Sequence, residues 1–385
     1  MANKAGFETK LIHAGEPSPR IQGAVVQPIF QSSTFEFHGE KTYHDVKYIR
    51  LNNTPNHLVL HRKLAALENA EAAVVAASGM AAITTTLLAL LSRGDHLLIQ
   101  DTLYGGTHSF VTNDLPRLGI AFDFVKGDDP QDWERKLQPN TRVIYVETMT
   151  NPLLQVARLD EVPRFARKHN LVSVIDNTFA SPFNFRPPEW GFDLSLHSCT
   201  KYLNGHTDLV AGAVIGRADL VEKITHLLNH LGGTLDPHAC FLLNRGMKTL
   251  ALRMRYQNAS ALALARFLES HPAVTRVNYP GLESHPAHAL ARQWFDGFSG
   301  MLSFELAGGL PAAERFIQRL QIPVEAPSLG GVETLITRPA TTSHAGMSPE
   351  DRQKLGITDS LIRVSVGIET TEDLVADFRQ ALEGI

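Results

Sequence analysis

Residues 171–182, LVSVIDNTFASP, and residues 193–206, DLSLHSCTKYLNGH, decide the fold when read as one unit. The first is an apolar, β-branched run that stops at an acid, Asp176. The second is another short apolar run, and it stops at Ser198, Thr200 and Lys201. Apolar runs without alternation mark strands buried on both faces, which are the strands of a mostly parallel sheet. In open α/β sheets, ligands sit beyond the carboxyl ends of such strands. An acid on one strand end and a lysine flanked by hydroxyls on another therefore define a candidate site.

The pattern repeats outward from this centre. Leu58–Ala70 carries helical apolar spacing, Ala72–Ala76 reads as a strand, and Ser78-Gly79-Met80 turns into a helix that runs to Leu91. HLLIQD (96–101), FDFVK (122–126) and RVIYVET (142–148) read as strands, Glu161–Asn170 as a helix and AGAVIG (211–216) as a further strand. Alternating short strands and helices predict a parallel sheet covered on both faces. After about Gly233 the texture changes: a long helical stretch (Leu235–Leu268), a strand at 301–306, a helix (Ala312–Leu320), a strand within 360–369 and a last helix (Glu372–Leu382). That order suggests a smaller α+β domain. The expected organisation is an arm over 1–56, an α/β domain over 57–233 and an α+β domain over 234–385. The arm has little periodicity and no core of its own, so it is expected to pack on another subunit.

Bulk properties exclude several classes. A balance of 43% hydrophobic and 20% charged residues is that of a globular protein, and a formal charge of −4 offers no nucleic-acid or anionic-membrane surface. The longest apolar run, Ala81–Leu91, is broken by three threonines and is too short to span a bilayer. Two cysteines, Cys199 and Cys240, do not make a disulfide scaffold and suit a reducing compartment. The first residues show neither the apolar core of a signal peptide nor transit-peptide composition, so a cytoplasmic protein is expected. The 17 histidines include no pair with zinc spacing to cysteines, and no metal is expected.

The site residues suit pyridoxal phosphate, which needs an amine for a Schiff base, an anion opposite its pyridine nitrogen and donors for its phosphate. Lys201 is the candidate amine and Asp176 the candidate anion. Ser78-Gly79-Met80 opens a helix whose free N–H groups can hold an anion, and Ser198 and Thr200 would close that cup. Tyr104, before two glycines, could lie against the cofactor ring. Asn151 could bond the ring oxygen and a substrate carboxylate. Arg363 stands in an apolar strand, where a charge is costly unless paired, and a bidentate grip on an α-carboxylate would pair it. Each residue alone has a plainer reading: a surface lysine, a local cap, a core tyrosine, an Asn-Pro turn, a structural salt bridge. Together they favour the cofactor.

SGMAA, TLYGGT, ETMTNP, VIDNTFASP, HSCTKYLNGH, LGGTLDPHACFLLNRGMKTL and APSLGGVETLITRPA jointly resemble the transsulfuration family of pyridoxal-phosphate enzymes of cysteine and methionine metabolism. The resemblance runs from ETKLIHAGE to the last helix. It implies a fold-type I, aspartate-aminotransferase-like subunit with a seven-stranded sheet, assembled as a homotetramer of two dimers. It also implies Lys201 as the Schiff-base lysine, Asp176 at the ring nitrogen and Tyr104 stacked on the ring. Gly79, Met80, Ser198 and Thr200 would hold the phosphate, and Asn151, Ser328 and Arg363 the substrate carboxylate. Tyr48 and Arg50, in YIRLNNTPN, match a Tyr-x-Arg that completes the neighbouring subunit's site. The sequence departs from the family's pattern after Arg50, and it has Pro327 where many members carry an acid. The resemblance implies γ-replacement or γ-elimination on homoserine-ester or cystathionine-like substrates. The alternatives are a cystathionine β-lyase or methionine γ-lyase type of C–S lyase and a catalytically silent binding protein on the same fold.

Overall fold

The computed structural model describes residues 5–385, the side chain of His44 aside. Seven short strands form the larger sheet: β1 (Ala72–Ala76), β2 (His96–Gln100), β3 (Ala121–Val125), β4 (Thr141–Glu147), β5 (Val172–Asp176), β6 (Leu194–Ser198) and β7 (Gly212–Gly216). Their order is β1-β7-β6-β5-β4-β2-β3. The run β3-β2-β4-β5-β6 is parallel, while β7 is antiparallel to both β6 and β1. Parallel β4, β5 and β6 therefore end on the same edge of the sheet, and their carboxyl ends lie next to each other.

Alternation along each strand divides the side chains between two cores. Val74, Leu97, Val143, Tyr145, Val174, Leu194 and Leu196 pack on one face with the helix Gly79–Leu90 and the helix Ala218–Leu231. Val75, Leu98, Ile144, Val146, Ile175 and Ile215 pack on the other with the helix Pro55–Glu68. Glu147, Asp176 and Ser198 continue the first set, two residues beyond Tyr145, Val174 and Leu196. The period of two thus puts all three polar tips on one face at one edge. Cys199 falls on the opposite face and is buried in the larger core.

A second, five-stranded sheet follows: β8 (Val274–Asn278), β9 (Met301–Leu306), β10 (Val324–Glu325), β11 (Leu335–Thr337) and β12 (Ile362–Ser365), in the order β10-β11-β12-β9-β8. It is antiparallel apart from the β10–β11 pair. Ile362 and Val364 point into the core, so Arg363 and Ser365 point away from it, toward the larger sheet's edge.

Some elements differ from the sequence reading. The stretch 235–268 is two helices, Pro237–Met247 and Leu250–Ser270, separated by a turn in which the Thr249 hydroxyl donates to the Gly246 carbonyl (3.1 Å). Buried Arg253 reaches back from the second helix and donates to the Tyr202 carbonyl (2.8 Å), which fixes the loop after Lys201. Residues 5–54 hold a seven-residue helix, Phe7–His13, three single 3-10 turns and an isolated bridge between Thr34 and Tyr48. The first four residues of the expected arm lie outside the described residues. Among the described residues, no helix is long and apolar enough to cross a membrane.

Candidate active site

A cavity of about 650 Å³ opens at the carboxyl edge of β4, β5 and β6. Gly79, Met80, Tyr104, Asn151, Asp176, Ser198, Thr200, Lys201, Ser328 and Arg363 all line it. Ten of the twelve residues singled out from sequence thus meet in one place, drawn from chain positions almost 300 apart. The other two, Tyr48 and Arg50, do not line it within one chain. Arg50 instead donates to the Asn229 carbonyl (2.9 Å) and the Tyr43 hydroxyl (2.6 Å), and its guanidinium lies 5.5 Å from the centre of the Tyr48 ring.

The cup beside the lysine is built by close approach. The Ser78 hydroxyl caps the helix at Gly79 by accepting the Ala81 N–H (3.0 Å), which leaves the helix's earlier N–H groups for another partner. A Cβ on Gly79 would lie 2.8 Å from the Cβ of Ser198, so only glycine lets the helix start come this near the end of β6. Thr178 bridges neighbouring strand ends: its hydroxyl accepts the Ser198 N–H (2.8 Å), and its own N–H donates to Asp176 (2.9 Å).

Lys201 follows in a turn in which its N–H donates to the Ser198 carbonyl (3.1 Å). Its Nζ donates to Ser328 Oγ at 2.6 Å. Ser328 has φ +89°, a left-handed conformation that costs a non-glycine residue about 1 kcal/mol or more. In that conformation its hydroxyl meets Lys201, and its carbonyl accepts from Arg363 Nη2 (2.8 Å). Gly330, φ +75°, lets this segment press on the lysine turn, since a Cβ there would lie 2.7 Å from the Tyr202 nitrogen. Arg363 Nη1 donates to Asn151 Oδ1 (3.1 Å), and its buried Nε has no partner among the described residues. An arginine with unused donors beside a cavity suits an incoming carboxylate.

Electrostatics separate the groups. Burial, followed by the Arg363 charge, lowers Lys201 to about 8, so its neutral, nucleophilic form is accessible near neutral pH. Burial raises Asp176, and the Thr178 hydroxyl, the Thr178 amide and the His197 charge oppose that rise. Glu147 lines the same cavity and was not singled out from sequence, although β4 ends on it much as β5 ends on Asp176. Met149, Phe179, Val210 and Pro327 add an apolar wall.

This set fits pyridoxal phosphate. The glycine-hydroxyl cup has anion-binding donors, the lysine is partly desolvated, an acid sits at the neighbouring strand end, and the Tyr104 ring is 43% exposed beside the cavity. The comparisons agree. The sequence model for Cys/Met metabolism PLP-dependent enzymes matches residues 8–383, and the chain belongs to that family. It is 43% identical to an L-methionine gamma-lyase of Pseudomonas putida over 390 residues (98% of this chain, 97% of the relative). It is 41% identical to a cystathionine beta-lyase of Coxiella burnetii over 382 residues (98% of each). Among solved structures, a cystathionine gamma-lyase from Lactobacillus plantarum complexed with L-serine superposes with a TM-score of 0.94 at 39% identity, covering 99% of both chains. The family fixes the cofactor as pyridoxal phosphate and the protein as an enzyme of sulfur amino-acid chemistry.

Proposed function

We propose that the protein breaks the bond between Cγ and a sulfur or oxygen leaving group of an α-amino acid, by γ-elimination or γ-replacement on cystathionine-like or homoserine-ester substrates. The observation that carries this reading is the Lys201–Ser328–Arg363–Asn151 chain of hydrogen bonds at the mouth of the cavity. It puts an amine of lowered pKa beside a carboxylate-binding guanidinium. When bound, pyridoxal phosphate carries the substrate amino group and withdraws electrons from the α- and β-carbons, so that their protons become acidic.

The chain's own residues do the rest. Gly79, Met80, Ser198 and Thr200 would hold the phosphate, Asp176 would keep the ring nitrogen protonated and Tyr104 would supply a ring to pack against the cofactor. Arg363 and Asn151 grip the substrate carboxylate, which aims the α-C–H at Lys201. The freed Lys201 Nζ takes the α-proton and then moves protons at the β-carbon, and Tyr104 assists departure of the γ-group. Met149, Phe179, Val210 and Pro327 form an apolar wall suited to the γ-substituent and to exclusion of water.

Tyr48 and Arg50 serve the neighbouring subunit in a homotetramer of two dimers. Support comes from the exposed apolar side chains of the N-terminal segment, with Val25 77% and Phe37 65% exposed in the single chain. Light scattering on the purified protein would return a tetramer mass, and a monomer at micromolar concentration would refute the assembly.

Keto-acid analysis tests the reaction. Incubation with cystathionine, methionine and O-acylhomoserine, with and without cysteine, should release α-ketobutyrate or form a new thioether. Pyruvate from cystathionine with no α-ketobutyrate from any substrate would instead assign β-elimination, the activity named for the Coxiella burnetii relative.

A further inference from the structure

Two carboxyl-bearing residues stand side by side at the strand ends that line the cavity. Glu147 and Asp176 are register partners on adjacent parallel strands, and both line the cavity. Asp176 accepts the Thr178 N–H. Glu147 Oε1 accepts the Tyr104 N–H at 2.7 Å, and the Asn151 N–H faces the same carboxyl. The backbone of Glu147 is anchored in turn, because its N–H donates to Gln100 Oε1 (2.9 Å) on β2. This one side chain therefore meets the backbones of the two loops whose side chains, Tyr104 and Asn151, contact cofactor and substrate in the proposed reaction. No step of that reaction uses Glu147.

We propose that Glu147 is a positioning residue, a neutral clamp: the Glu147–Asp176 pair holds one proton, that proton sits on Glu147, and its carboxyl ties the Tyr104 loop to the Asn151 loop while the single negative charge stays on Asp176. The division follows from the surroundings. Asp176 has the Thr178 hydroxyl and amide and the positive side of His197, on β6, to favour its anion. Glu147 is buried beside Asp176, so burial first and the Asp176 charge second hold it well above the ordinary carboxylate range against the two amides. Tyr145, on β4, faces both acids and is kept neutral by burial and by the Asp176 charge. Tyr104, Lys201 and Arg363 line the cavity and complete the set of titratable groups there. Two adjacent buried carboxyls share a proton because both cannot ionise cheaply.

The inference rests on the proposed placing of the cofactor, but part of its test does not. Glu147→Gln keeps the acceptor for the Tyr104 N–H and cannot ionise, whereas Glu147→Ala removes the clamp. In the cofactor-free protein, a Glu147 pKa raised above 4.5 means that the folded state retains a proton the unfolded state releases. Stability then falls as pH rises from about 4.5 toward the folded value. The thermal midpoint of the wild type should decline over that range, and that of Glu147→Gln should decline less. In the loaded enzyme, Glu147→Ala should weaken cofactor binding and lower kcat/KM by about tenfold or more, and Glu147→Gln should recover most of both losses. Glu147→Gln as impaired as Glu147→Ala, or a midpoint–pH slope equal to that of wild type, would overturn the shared proton. Glu147→Ala indistinguishable from wild type in binding and turnover would overturn the clamp. If Glu147→Ala does not fold, the Glu147→Gln slope decides. A wild type that turns over no thioether sinks the proposed reaction while leaving that slope measurable.

Discussion

Replacing Arg363 with lysine tests the carboxylate grip most directly. The native guanidinium satisfies Asn151 Oδ1 and the Ser328 carbonyl and still presents an unused Nε. A lysine keeps the charge but has no planar fork. It forfeits one charge-assisted hydrogen bond to the substrate carboxylate, worth about 1.5–3 kcal/mol, and leaves one of the two internal acceptors without a partner, about 1 kcal/mol more. The sum, about 2.5–4 kcal/mol, corresponds to a fall of roughly two to three orders of magnitude in kcat/KM. The carboxylate is held alike before and during the reaction, so the loss should appear mainly in KM. Steady-state kinetics on the best thioether substrate, with cofactor affinity titrated separately, supply the measurement. A change below about threefold, or a loss confined to cofactor binding, would show that Arg363 is a structural ion rather than the grip.

The pH dependence of cofactor capture follows from Lys201. Its pKa is lowered from 10.5 to about 8 by burial and then by Arg363, so the folded protein binds fewer protons than the unfolded chain between those values. The stability of the cofactor-free protein should rise with pH across that window. The rate of pyridoxal phosphate uptake should rise to a plateau with its midpoint near 8, Arg363→Gln should shift that midpoint upward, and a midpoint near 10 would contradict the assignment. Gly79→Ala puts a methyl carbon 2.8 Å from Ser198 Cβ. It should weaken cofactor binding by about 1–3 kcal/mol through overpacking of the cup, measured by titration of the cofactor's visible absorption, and unaltered affinity would move the phosphate elsewhere. Glu68 is fully buried and accepts from Asn177, Ser195 and, at 2.6 Å, His197. Glu68→Ala leaves these donors without their acceptor, should cost about 3 kcal/mol or more and should lower the thermal midpoint of both apo- and holoenzyme. A midpoint equal to wild type would refute that estimate.

The strand ends were legible because burial and chemistry meet there: apolar residues dominate the core face of β5 and β6 until Asp176 and Ser198. Glu147 follows the same rule at the end of RVIYVE, but an acid at a strand end is informative only beside its partner, and the β4–β5 register is absent from the sequence. Strand direction was equally hidden. GAVIG has the composition of a parallel core strand yet runs antiparallel between β6 and β1. The break at 248–249 falls where Gly246 lies against the Asn204 carbonyl and Arg253 reaches the Tyr202 carbonyl, long-range contacts that the local sequence does not carry. Strands β10 and β11, two and three residues long, carry too little pattern to detect. Tyr48 and Arg50 rested on resemblance alone, and a single chain offers them no place in its own cavity.

The site draws on two separately folded sheets. Everything one chain is proposed to contribute to its own coenzyme lies between residues 78 and 201, whereas Ser328 and Arg363, on the far side of the opening, come from the smaller sheet's segment of the chain. Reagent loading is thus encoded in the first stretch of the gene, whereas amino-acid selection is divided between the two. A chimera that kept the first stretch and exchanged the second for a relative's would retain its colour while trading one wall of its amino-acid grip.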